Sequence, residues 1–228
     1  MSEVSNCLII NGKRVKIPQE MIDKGYTAKN YLDDEDVPKF RSKKRWAKVR
    51  HFVLHETCGN TAKGCERTFI RKGYGVQLIQ DPDGNFTCHG DLVRDRMVHA
   101  NQLNNGSFGV EQVNPYSPVF VTDKEIFGKW TPKRWWTWIP RGKYIVKALK
   151  RKGWKKAPKQ YVELTDKQIE SMAMFAEFVC VATGVPYSLS ITGWRKKKWP
   201  KSGVVAHRSF SNHADGQFMI EHLRKLEE

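Results

Sequence analysis

The segment LTDKQIESMAMFAEFVCVATGVP, residues 164–186, constrains the fold more than any other stretch of the chain. Thr165 and Gln168 stand in the spacing of a capping box, and Gly184 with Pro186 stops the chain. Between them Ile169, Met172, Ala173, Ala176, Val179 and Cys180 recur at helical spacing and make one apolar stripe. This long helix lies among short apolar runs that read as strands: VRHFVLHET, SFGVEQVNP and GVVAH, with YGVQLIQDPDGNFTCHG as two strands joined by an Asp-Pro-Asp-Gly turn. Strands and helices alternate, so the pattern predicts an α/β fold.

Further elements fit the same reading. Residues 61–72 have helix-like spacing in Ala62, Cys65 and Phe69, closed by Gly73, and DGQFMIEHLRKLEE reads as a short terminal helix. At the other end, IINGKRVKI is a hairpin candidate with Asn11-Gly12 as its turn. We divide the chain into an N-terminal extension, residues 1–45, and one domain, residues 46–228, with an insertion at 115–160. A length of 228 residues suits one elaborated domain better than two full ones.

Charge is unevenly spread over this plan. The net charge is +16, and the insertion holds 13 Lys/Arg against Asp123 and Glu125, so it alone supplies +11. It also holds Trp130, Trp135, Trp136, Trp138 and Trp154. These rings either stack on sugars or bases, or form a small core of the insertion itself. Further basic clusters stand at FRSKKRWAKVR and WRKKKWPK. Such a field draws polyanions: nucleic acid, an anionic membrane face, or a bacterial envelope rich in carboxylate and phosphate. Helix-turn-helix, zinc-finger and RNA-recognition signatures are absent, so nucleic acid is not the expected partner. No run of about 18 apolar residues occurs, so no transmembrane segment is expected. The first residues also lack the basic-then-apolar pattern of an export signal. Five cysteines are too few for a disulfide scaffold, although Cys58 and Cys65 could close a small loop.

The chemistry concentrates at strand ends. His207 closes the apolar run that begins at Gly203, and Asp215 follows eight positions later, past a polar loop. His55 holds the matching place at the end of FVL. A catalytic zinc ion takes three protein ligands of nitrogen and oxygen type and keeps a position open, a requirement that His55, His207 and Asp215 would meet. Glu111 is an acid inside an otherwise apolar, β-forming run, an uncomfortable place for an ordinary solvated carboxylate. His51, His89 and His222 read as ordinary histidines, and Cys88 has no activating base specified beside it.

These motifs, in their order FVLHET, VQLIQDPDGNFT, HANQLNNGSFGVEQVN, the capped helix and VVAHRSFSNHADGQF, resemble the zinc-dependent N-acetylmuramoyl-L-alanine amidases, whose fold is shared with peptidoglycan recognition proteins. The resemblance covers residues 46–114 and 161–226. It implies a central mixed β-sheet flanked by helices. It also implies that His55, His207 and Asp215 bind Zn2+, that Glu111 helps activate the attacking water, and that His213 faces the oxyanion. His99 of the His-Ala pair, Tyr74 and Asn105 would then face substrate. Three positions depart from the family pattern: Gly75 falls where a substrate-facing tyrosine stands in some members, with Tyr74 one position off, Val98 replaces a tryptophan, and Ala-Asp-Gly replaces Asp-Pro-Gly.

The chain is thus expected to be a monomeric hydrolase that cuts the amide bond between N-acetylmuramic acid and L-alanine in peptidoglycan. Made in the cytoplasm, it would act on the cell wall, in the periplasm or outside the cell, as a phage lysin or an antibacterial effector. A recognition protein of the same fold without catalysis is the first alternative, and a nucleic-acid-binding protein the second.

Overall fold

The structure, a computed structural model, describes residues 6–32, 34, 39–57, 61–114, 137–140, 160–190, 200–210 and 215–228. In chain order the elements are β1 (Cys7–Ile10), β2 (Lys13–Lys16), α1 (Gln19–Asp23), β3 (Ala28–Asn30), β4 (Ser42–Lys44), β5 (His51–Glu56), α2 (Ala62–Lys72), β6 (Leu78–Gln80), β7 (Phe86–Cys88), β8 (Asp95–Met97) and β9 (Ser107–Gln112). They continue as β10 (Thr137–Pro140), β11 (Gln160–Glu163), α3 (Asp166–Thr183), β12 (Leu189–Ser190), β13 (Gly203–Ala206) and α4 (Gln217–Glu227). Seven strands make one mixed sheet in the order β12-β13-β5-β9-β6-β7-β3. Every neighbouring pair is parallel except β6 with β7, the two strands joined by the Asp-Pro-Asp-Gly turn.

The predicted long helix is α3, and its capping box is complete. Thr165 Oγ1 accepts from the Gln168 amide and Gln168 Oε1 accepts from the Thr165 amide, both at 3.1 Å. Its buried face is rotated slightly from the expected stripe: Phe175 and Ser171 are inside, while Ile169 and Ala173 are only partly buried. A polar seam explains the rotation. Gln80 Nε2 donates to Gln168 O and Ser171 Oγ, and Gln168 Nε2 donates to Val113 O, so the helix is fastened to the sheet by buried amides. Around that seam one core joins Phe52, Leu54, Phe108, Val110, Val204 and Ala206 to Met172, Phe175 and Val179 of α3 and to Phe218, Met219, Ile220 and Leu223 of α4. Burying one such phenylalanine contributes roughly 1.5–3 kcal/mol.

Residues 1–45, expected as an extension, are built into this domain where they are described. The hairpin forms as predicted, with Asn11 and Gly12 both at positive φ in its turn. Leu8, Ile10, Ile17, Met21, Tyr26 and Ala28 join the main core, and β3 adds the edge strand of the sheet. The reason is apolar content: the short strands are buried at alternate or successive positions and have nowhere else to go. In the insertion, β10 pairs with β11; residues 115–136 and 141–159, with four of the five tryptophans, lie outside the described residues. Cys58 does as well.

Candidate metal centre

Parallel pairing sets the site. Leu54 of β5 pairs with Ala206 of β13, so the next residues, His55 still in β5 and His207 just past β13, stand side by side with ring centroids 4.4 Å apart. Asp215 comes from the loop that precedes α4. Gly216 delivers it: at φ 80° a Cβ added to this residue would lie 1.8 Å from the Leu54 carbonyl oxygen. Only glycine lets the backbone rest directly on β5 in that conformation. His207 Nδ1 is then 3.0 Å from Asp215 Oδ2, and His55 Nδ1 is 3.5 Å from the same oxygen. One ligand atom from each of the three lies within 4.8 Å of the others.

Two more carboxylates surround this triad. His55 pairs with Glu111 of β9, whose Oε1 is 3.8 Å from His55 Nδ1. Burial, then Asp215, then Glu56 push the Glu111 carboxyl well above its ordinary range. Burial pushes Asp215 up too, but the charge and hydrogen bonds of His207 and His55 outweigh it and hold that carboxyl well below its ordinary range. Glu56 points to the other face of the sheet. Burial and then Asp215 raise it, and the nearby amides of Gly216 and Phe218 at the start of α4 offset part of that rise.

The orientation of His55 is fixed by a chain of hydrogen bonds. The Ser107 hydroxyl donates to Leu103 O at 2.8 Å, so its oxygen accepts from His99 Nε2 at 3.2 Å. Burial, with His55 and His207 adding to it, lowers His99 well below the usual imidazole range, so the ring is neutral and its Nδ1 carries a lone pair. That lone pair accepts from His55 Nε2 at 3.1 Å. With Nε2 turned to His99, His55 points Nδ1 toward His207, Asp215 and Glu111. Two features seat His99. Asn104 Oδ1 accepts from the amides of His99 and Ala100, and Gly109 leaves the space its ring fills, since a Cβ there would lie 2.7 Å from His99 Nδ1.

The residues singled out in the sequence are distributed unevenly. His55, His207, Asp215, Glu111 and His99 converge. His213 lies outside the described residues. Tyr74 is exposed just past α2, with the Lys72 ammonium over its ring, and among the described residues no contact joins it to the triad. A tyrosine at position 75 has no room, because a Cβ there would already meet Phe40 Cβ at 2.9 Å. Asn105 accepts from the Trp46 amide, in a groove near the start of β9. The residue that positions His99 is its neighbour Asn104. Together with Ser107 and Gly109, it is a position beside the triad that the motifs did not flag. For Asn104 the only signal was the asparagine-rich loop after the His-Ala pair.

The donor set, two imidazole nitrogens and a carboxylate oxygen at strand ends, is of the kind zinc takes. The fold and this site define a mixed-sheet α/β domain with a His-His-Asp pocket at the carboxyl ends of parallel strands. The family model for N-acetylmuramoyl-L-alanine amidase matches residues 45–217, and the chain belongs to that family. Among solved structures it is similar to Drosophila peptidoglycan recognition protein SA, at 9% identity and a TM-score of 0.48 over 88% of this chain and 91% of that one. Drosophila peptidoglycan recognition protein SD matches at 9% identity and 0.49, over 88% and 94%. The endolysin N-acetylmuramoyl-L-alanine amidase LysCS from Clostridium intestinale URNW matches at 12% and 0.47, over 85% and 96%. A search of curated proteins gave no match. No helix among the described residues is long and apolar enough to cross a membrane.

Proposed function

We propose that the protein is a zinc-dependent peptidoglycan amidase that hydrolyses the bond between the lactyl group of N-acetylmuramic acid and the L-alanine of the stem peptide. The observation that carries this reading is the buried acid beside the donor set: Glu111 Oε1 stands 3.8 Å from His55 Nδ1, in a pocket that also holds His207 and Asp215. A recognition protein needs to bind and orient its ligand, but has no use for a proton carrier at that point. Family membership supports the amide as the bond concerned.

His55, His207 and Asp215 would hold the zinc ion. Bound there, zinc supplies a Lewis acid that makes water nucleophilic near neutral pH and polarises the amide carbonyl. Glu111 accepts the proton from the attacking water and returns it to the nitrogen of the leaving L-alanine. His99 and Ser107 keep the His55 ring turned with Nδ1 inward, and Asp215, anchored through Gly216, supplies the negative charge of the site. His213 is proposed to stabilise the oxyanion, and Tyr74 to meet substrate at the rim. The basic insertion would hold the anionic wall polymer. Delivery by phage lysis or as an antibacterial effector fits a lytic role on the cell wall. Incubation with purified sacculi tests the reaction through the chain ends it creates.

A further inference from the structure

We infer that the trough along the β4–β8 ribbon is a second binding site, one that takes a single chain of a sugar- or polyol-phosphate polymer. The two strands pair antiparallel with Lys43 directly opposite Arg96. Opposed like charges cost a sheet stability. Lys43 and Arg96 form no ion pair among the described residues; Lys44 stands opposite Asp95 across the ribbon, and the Asp95 carboxylate accepts the Asp91 amide. Lys43 and Arg96 are thus held opposite each other with no carboxylate in an ion pair with either among the described residues.

The surface they line is concave. Lys43, Lys44, Trp46, Arg96, Asn101 and Asn105 border a hollow of about 430 Å³, and Lys43 and Arg96 also border a second of about 230 Å³ that Arg41 joins. Trp46 is 85% exposed, the most open large side chain of the described apolar residues, and it offers a flat face to a ring. Asn101 and Asn105 add side-chain amides to the wall of the hollow. Cations for phosphates, an indole for a sugar or polyol face and amides for hydroxyls are the complement of such a polymer. The hollow is too small for a nucleic-acid duplex, and its one indole contrasts with the successive aromatic platforms used for single-stranded nucleic acid. The hollow lies before the start of β9, whereas Glu111 stands near the far end of that strand; the wall of the hollow includes Asn104, which seats His99. A polymer held here leaves the metal centre open, and its binding does not depend on hydrolysis.

Calorimetric titration of the full chain with a synthetic poly(glycerol phosphate) decamer at about 50 mM salt tests it, with a neutral chitin oligosaccharide and a thymidine decamer in parallel. The pair Lys43→Glu and Arg96→Glu should weaken poly(glycerol phosphate) binding at least about 10-fold, and Trp46→Ala about 3-fold or more, with Tm and zinc content unchanged. If the double variant does not fold, Lys43→Gln with Arg96→Gln serves, with a weakening of about 5-fold expected. Unchanged affinity in all folded variants overturns the inference. So does equal binding of the neutral oligosaccharide, or a thymidine decamer that binds more tightly and loses more in the same variants.

Discussion

His55 Nε2 lies 3.1 Å from His99 Nδ1, and this contact decides which face of His55 is offered to a metal. Outer partners of this kind commonly change metal affinity about 10- to 100-fold. Ser107→Ala and His99→Phe should therefore each weaken zinc binding by about that factor, measured by competition with a chromogenic chelator. His99→Gln, whose side-chain oxygen can still accept from His55, should recover part of the loss. Nitrogen-15 NMR of the imidazoles gives a readout free of activity: neutral His55 should carry its proton on Nε2 in the native chain and lose that preference in His99→Phe. An unchanged tautomer with unchanged zinc affinity would remove His99 from this role.

The backbone at Gly216 is as restrictive as any ligand. Gly216→Ala forces a Cβ against the Leu54 carbonyl in a left-handed conformation, which should cost at least about 2 kcal/mol in urea unfolding and lower zinc occupancy together. Native stability with full zinc would mean that the Asp215 loop can approach β5 in another way.

Ligands and proton carrier separate by substitution. His55→Ala, His207→Ala and Asp215→Ala should each lose zinc and hydrolysis, whereas Glu111→Gln should retain about one zinc per chain while turnover falls roughly 10²-fold or more. Zinc lost along with activity in Glu111→Gln would make Glu111 a structural residue or a ligand.

Acid should destabilise the fold partly through His89. This ring stacks on Phe40, bonds Thr87 Oγ1, and is pushed down to about 3 by burial, with Lys39 adding to it. Glu66 Oε1 stands 3.5 Å from Nε2, and burial raises its own carboxyl. With the folded value below the unfolded one, the unfolded chain binds the extra proton as pH falls below about 6.5, and stability drops there. By pH 4.5 the loss from this residue approaches about 2–3 kcal/mol. His89→Phe should flatten the slope of unfolding free energy between pH 6.5 and 4.5; a slope equal to that of the native chain would show that His89 does not set it.

Much of the centre was legible because strand ends announce themselves. An apolar run ending in histidine told where His55 and His207 stand, and an acid inside SFGVEQV marked Glu111. Asp215 could be assigned beside them only weakly, since its position depends on a close approach of Gly216 to β5 that no local pattern encodes. Asn104 and Ser107 were illegible for a related reason: their partners are backbone groups and a ring brought near by the loop after His99. The place of residues 7–30 in the core was missed because three short strands look like a tail until their apolar faces find the sheet. Gly75 shows the reverse case, a residue whose departure from the family pattern gains its reason from Phe40 across the packing.

The most direct test of the amidase reading is mass spectrometry of purified sacculi after incubation with the zinc-loaded chain. New free amino termini on L-alanine, matched by free lactyl carboxylates on glycan strands that keep their length, are the expected products. New reducing sugar ends, cuts within the stem peptide, or sacculi that bind the protein and remain intact would contradict it.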